Sequence, residues 1–156
     1  PVNVGNTPVE VLESEVPVLV KKRALWENSA GPGEFRGGFG QEFEVEVLAD
    51  DLGPLDDILV SFRGGRFIHP VPGVQGGGGA PNGELYVNGK RQEPGIQRTL
   101  VPGDSFLCRA PGGGGFGNPG KRSEVAVKQD LRSGLVSEDF VRLHYGDQYL
   151  ADPGDD

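Results

Sequence analysis

The chain has 156 residues, of which 27 are glycine and 13 proline, about a quarter of all positions, which argues against long helices. Its 15 basic and 23 acidic side chains leave a net charge of −8, which repels phosphate backbones and anionic lipids, so neither nucleic acid nor a membrane is an expected partner. With 1 cysteine and 2 well-separated histidines it can build neither a disulfide framework nor a closed Cys/His zinc site, and no apolar run approaches the roughly 18 residues of a membrane span; a soluble, cytoplasmic, single-domain chain with a modest core is expected.

In chain order, Val9 and Val11, then Val16, Val18 and Val20, alternate with Glu10, Glu15, Pro17 and Lys21. This is the period of half-exposed strands, and Pro17 predicts an edge position for the second. Residues 30–40 form a turn-rich connector. Phe43, Val45 and Val47 then alternate with Glu42, Glu44 and Glu46, the cleanest strand signal in the chain, before Asp50-Asp51-Leu52-Gly53-Pro54 interrupts it. Ile58 to Phe62 resumes with β-branched and aromatic residues, and residues 64–83, dense in Gly and Pro, predict an irregular loop. Leu85-Tyr86-Val87 leads into Asn88-Gly89, a pair suited to a type I′ hairpin. Pro102-Gly103-Asp104 turns the chain, and Phe106 and Cys108 mark a last strand. Helices are predicted only at the end: Ser123 caps one that Gly134 closes, and Ser137 caps a shorter one with Phe140, Leu143 and His144 on one face and Gly146 as its stop. The expected class is mainly β, a loop-rich antiparallel domain over 1–120, with a helical segment at 121–146 packed on it and a frayed acidic tail at 147–156.

Gly115-Phe116-Gly117-Asn118-Pro119-Gly120 matches the G-x-G-x-x-G spacing of dinucleotide loops, with Glu138 about twenty residues on. The window also reads G-x-x-x-x-G-K, but Arg122 stands where a phosphate loop needs Ser or Thr. Pro119 has no N–H for a phosphate, and no repeated strand–helix pattern surrounds the match. The better reading takes Gly37-Gly38-Phe39-Gly40 and Gly114-Gly115-Phe116-Gly117, one four-letter word used twice, as backbone crossings with each Phe plugging the core beside its turn. Such bare backbone can also abut a partner, so Gly37, Gly38, Gly114, Gly115 and Gly117 are interface candidates.

Arg63, Arg66 and His69 cluster between glycines and prolines, where they can either present cationic donors to a carboxylate or phosphate or pair with surface carboxylates. Asp50, Asp51, Asp56 and Asp57 lack the alternating ligands of a calcium loop. Ser29 and Ser137 have no nucleophile-elbow context, His144 reads as a packed histidine, and Pro1 offers a secondary amine as a possible base. No catalytic set or metal site is legible in this chain.

Asn6-Thr7-Pro8-Val9-Glu10-Val11-Leu12-Glu13, Arg36-Gly37-Gly38-Phe39-Gly40, Arg66-Phe67, Pro111 to Gly117, Asp130 to Ser137 and Tyr145-Gly146 occur in an order that resembles the hydantoinase B and oxoprolinase B family. Two positions depart from the pattern: Val16 stands where an aromatic is common, and Gly64 and Gly65 interrupt an arginine-rich run. The resemblance covers the C-terminal portion of the family's long polypeptide and implies a small subunit, or split domain, of an ATP-dependent amidohydrolase complex acting on a cyclic amide. Its partners would be a larger hydantoinase B-like subunit and an ATP-binding hydantoinase A-like subunit, which would hold ATP, magnesium and a further divalent metal. This chain itself would hold no cofactor or metal and would have a structural and interface role, with Asn6, Arg36, Arg63, Arg66 and His69 as substrate or interface candidates. A related ketone carboxylase of the acetone or acetophenone type is the near alternative. A free-standing β binding domain and a small enzyme using Pro1 are further ones.

Overall fold

A computed structural model describes residues 6–49, 58–62, 64–95 and 97–150. Pro1, the Asp50, Asp51, Asp56 and Asp57 turn, and Arg63 lie outside them. The described chain runs α1 (Val9–Glu15), β1 (Val18–Leu25), β2 (Gln41–Val47), β3 (Ile58–Ser61), β4 (Glu84–Val87), β5 (Lys90–Arg91), β6 (Gln97–Leu100), β7 (Ser105–Ala110), α2 (Glu124–Arg132) and α3 (Glu138–His144). A five-stranded sheet has the order β1-β2-β7-β4-β5, and β3 pairs with β6 in a second sheet. Within these two sheets every described strand pairing is antiparallel.

The alternation of β2 works as read: Val45 and Val47 are buried on one face. β7 lies against it with Val45 opposite Phe106 and Phe43 opposite Cys108. The Phe43 and Phe106 rings meet at 6.2 Å, and Phe62, just after β3, sets its ring edge-on to Phe106 at 5.6 Å, tying the second sheet to the first. The turn between β4 and β5 takes positive φ at Asn88 (49°) and Gly89 (72°), the geometry a two-residue I′ hairpin requires.

β1 is the edge strand that Pro17 predicts, but Val9 and Val11 lie in a helix, not a strand. Three alternating positions are too few to fix a period. The helical spacing Val9/Leu12 puts the half-buried residues inward and leaves Val11 at 42% exposure. Glu13 on this helix accepts from the Val20 N–H at 2.7 Å, beside a bulge at Lys21, so α1 covers part of the sheet's open edge.

Three irregular, glycine-rich stretches, 29–40, 72–80 and 111–117, lie side by side and hydrogen-bond to one another. Gly31 N–H donates to Gly113 O (2.8 Å), Gly113 N–H to Gly38 O (2.9 Å), Gly115 N–H to Gly78 O (2.9 Å) and Gly78 N–H to Pro32 O (2.7 Å). The chains are so close that a Cβ on Gly37 would overlap the Gly113 carbonyl, one on Gly114 the Pro72 carbonyl and one on Gly115 the Pro32 carbonyl. The predicted backbone crossings are therefore present, and they are internal to the chain.

The two C-terminal helices are capped as read: Ser123 accepts from the Ala126 N–H and Ser137 from the Phe140 N–H. Val127, Val136, Val141, Tyr145 and Tyr149 form their core, with Phe39, Leu131, Phe140 and Leu150 packed against it. Two expectations are corrected. Leu143 points outward at 77% exposure while Val141 is fully buried, because the short helix follows Tyr145 into the core. The segment read as a frayed tail opens with a 3-10 turn over Asp147–Tyr149 that buries Tyr149, whose hydroxyl donates to Arg122 O at 3.1 Å.

Gly37→Ala and Gly115→Ala are each expected to lose about 3 kcal/mol of stability, the upper range of overpacking. Gly38→Ala, at a position where a Cβ meets nothing within 4 Å, should be neutral or slightly stabilising. Urea unfolding midpoints of the three variants check this.

Candidate functional site

The side chains singled out by sequence do not converge on one site among the described residues. Arg36 leaves the first glycine stretch and reaches α2, where its Nε and Nη2 donate to Asp130 Oδ2 and Oδ1 at 2.8 and 3.0 Å. Its Nη1 donates to Gly37 O at 3.0 Å, and its guanidinium lies 4.2 Å from the centre of the Phe39 ring. Arg122 Nη2 joins the same carboxylate at 2.8 Å, and both Arg122 and Asp130 side chains are only 9% exposed. The cluster fastens the helices to the glycine stretches, and Arg36 is fully engaged in it. The sequence marks Arg122 only as the residue that breaks a phosphate-loop match and Asp130 only as a landmark of resemblance, since no spacing links residue 36 to residue 130.

A second ionic cluster crosses the sheet on the face opposite Phe43 and Val45. Glu42, Arg109 and Glu84 are register partners on β2, β7 and β4. Arg109 Nε donates to Glu42 at 2.6 Å and Nη1 to Glu84 at 3.0 Å, Lys22 pairs with the other Glu42 oxygen, and the Arg109 guanidinium faces the Trp26 ring at 5.7 Å. Lys22, Trp26, Glu42 and Arg109 line a cavity of about 420 Å³ together with Asn28 and Gly134. Burial pushes the Glu42 carboxyl up, but its hydrogen bonds to Lys22 and Arg109 outweigh that and hold it below the usual glutamate range. The alternation that marks β2 as a strand puts Glu42 on the face opposite Phe43 and Val45, and Lys22 from β1 and Arg109 from β7 cover it there.

The remaining candidates are spread out. Asn6 donates to Gln41 at 3.4 Å and stands beside a cavity of about 320 Å³ lined also by Leu12, Arg23, Phe43 and Cys108. Arg66 and His69 are exposed in the loop before β4, and their side chains make no hydrogen bond or ion pair among the described residues. Gly38 and Gly117 differ from the tightly packed Gly37, Gly114 and Gly115: Gly38 is open, and Gly117 holds φ at +74°. The twin phenylalanines also part company. Phe39 plugs the helical core as expected, but Phe116 does not plug a core; it is 46% exposed beside Phe35.

Four amides of the dinucleotide-like loop are already engaged. The N–H groups of Gly115, Phe116, Gly117 and Gly120 donate to Gly78 O, Phe35 O, Val74 O and Asn118 Oδ1. Ser29 is fully buried, accepting from the Gly40 N–H at 2.8 Å, and Ser137 exchanges hydrogen bonds with Asn28. The His144 ring lies 4.4 Å from that of Phe140, and burial pushes its imidazole below the usual range. Among the described residues no three His, Cys, Asp or Glu side chains group as metal ligands. The converging carboxylates are neutralised by Arg and Lys, a donor set that does not fit a divalent ion.

Asp130→Asn should lose about 3 kcal/mol of stability, because it leaves two largely buried guanidinium groups without their counter-charge; thermal unfolding measures it. Glu42 has a depressed folded pKa, so its contribution is complete above the unfolded value near 4.3 and is lost as pH falls through the folded value. The stability gap between wild type and Glu42→Gln should therefore be constant from pH 7 to about 5 and shrink below about 4.

Comparison with known proteins follows the same lines as the geometry. The chain is 38% identical over 151 residues to caprolactamase subunit beta of Pseudomonas jessenii, covering 88% of this chain and 24% of that one. The crystal structure of the ATP-dependent caprolactamase from Pseudomonas jessenii superposes with a TM-score of 0.74 at 28% identity, over 96% of this chain and 26% of the other. Nucleotide-free acetone carboxylase shares the fold, with a TM-score of 0.74 at 22% identity over 89% of this chain and 22% of the other. The chain thus spans about a quarter of the length of these relatives. The sequence profile of hydantoinase B/oxoprolinase matches residues 1–119, and the chain belongs to that family.

Proposed function

We propose that this chain is a structural and interface-forming quarter of an ATP-dependent, hydantoinase B-type amidohydrolase that opens a cyclic amide. The observation that carries the reading is the 38% identity to caprolactamase subunit beta, whose name specifies a cyclic-amide substrate and an assembly of more than one subunit. The likeness to acetone carboxylase, at 22% identity, extends to the fold alone, so hydrolysis is preferred to ketone carboxylation.

The side chains support a positioning role. The buried carboxylates serve ion clusters, Ser29 and Ser137 are committed to turns or caps, and His144 is packed. ATP and magnesium belong in this reading to a hydantoinase A-like subunit and a further divalent metal to the larger hydantoinase B-like part. Burial pushes the Cys108 thiol above its usual range, and it has no second cysteine to pair with. Of the expected substrate candidates, Arg66 and His69 have exposed side chains without a described partner.

The reconstituted complex, given ATP and caprolactam, should release the ring-opened amino acid; with ATP, acetone and labelled bicarbonate it should fix no label. Label in the product would replace the hydrolase with a carboxylase. Within the active complex, Arg66→Ala with His69→Ala is expected to lower kcat/KM about tenfold without changing assembly.

A further inference from the structure

Phe35, Phe116 and Val74 form an apolar patch at the outer end of the glycine stretches. They are 64%, 46% and 56% exposed, and the two rings lie 6.4 Å apart. Their backbone is held rigidly. Phe35 N–H donates to Phe116 O at 3.0 Å and Phe116 N–H to Phe35 O at 2.8 Å, while Val74 N–H donates to Gly115 O at 2.9 Å and Gly117 N–H to Val74 O at 3.0 Å. Gly33 and Gly77 lie directly against Phe116, where a Cβ would come within 2.7 and 2.8 Å of its backbone. The side chains are thus presented outward on a frame that cannot collapse over them.

Two exposed aromatics on a fixed backbone have the composition of a binding anchor, and little conformational entropy is lost when they are covered. We infer that this patch is the face on which the hydantoinase B-type polypeptide beyond this quarter is seated, whether joined to this chain or separate; the inference rests on the subunit reading above. Two observations choose that occupant. The relatives at 24%, 23% and 24% coverage each carry the matching quarter within a much longer chain, so it has an obligate neighbour there, and obligate interfaces are the apolar, rigid kind. A second copy is disfavoured because it would bring together two chains each carrying a net charge of −8.

The test places p-benzoylphenylalanine at position 116 in the assembly containing this chain, irradiates it, and identifies the cross-linked peptides by mass. Cross-links to hydantoinase B-type sequence outside the matched quarter are expected. Cross-links to a second copy or to the ATP-binding subunit, or none, would overturn the assignment of this face and leave the subunit reading standing. A wild-type chain found alone at 16.5 kDa by native mass spectrometry would remove both. In parallel, Phe35→Ser with Phe116→Ser should keep the urea midpoint of the chain and weaken its association with the longer polypeptide at least tenfold. Val125→Ser with Leu143→Ser, equally exposed elsewhere at 77% each, should leave association unchanged. Equal weakening by both pairs, or by neither, contradicts the proposal.

Discussion

Backbone meets backbone without intervening side chains where residues 29–40, 72–80 and 111–117 run together, and most of the tertiary arrangement follows from that contact. The three stretches leave β1, precede β4 and follow β7, so joining them brings together segments that the sheets alone would leave free. Glycine loses more conformational freedom on folding than any other residue, so ordering these stretches is costly. Cross-stretch hydrogen bonds and close approach offset that cost, because only segments without Cβ atoms can lie at these distances.

Two side chains leaving this frame show how it distributes roles. Phe39 turns inward and, with Arg36 stacked on it, meets the helical core; Phe35, four positions earlier, turns outward to Phe116. Arg36 and Arg122 share Asp130 and so connect frame to helix, a bond strengthened by the burial of the Arg122 and Asp130 side chains. The same economy recurs on the sheet, where Glu42 is buried between Lys22 and Arg109. Both clusters bind carboxylates that would otherwise be available for metal or proton chemistry.

What could be read from the chain by itself was what depends on neighbours in sequence. The alternation at Phe43, Val45 and Val47, the positive-φ pair Asn88-Gly89, and the caps Ser123 and Ser137 are each decided within a few residues, and each was legible. The ordered motifs from Asn6 to Gly146 likewise carried the family, and with it the expectation that much of the enzyme lies outside this chain.

Tertiary structure decided what depends on distant partners. Val9 and Val11 became helical because a three-residue alternation cannot outweigh a Val9/Leu12 face that finds cover on the sheet. Phe39 and Phe116 stand in the same four-letter word, yet one is covered by helices from residues 124–149 and the other is left at the surface. Arg36 is held by Asp130, 94 positions away, a pairing that no spacing in the sequence announces. Composition and spacing set the local conformations and the family; which glycines touch, which carboxylates are neutralised and which aromatics stay exposed are set by long-range packing, since burial belongs to pairs of surfaces and not to single segments.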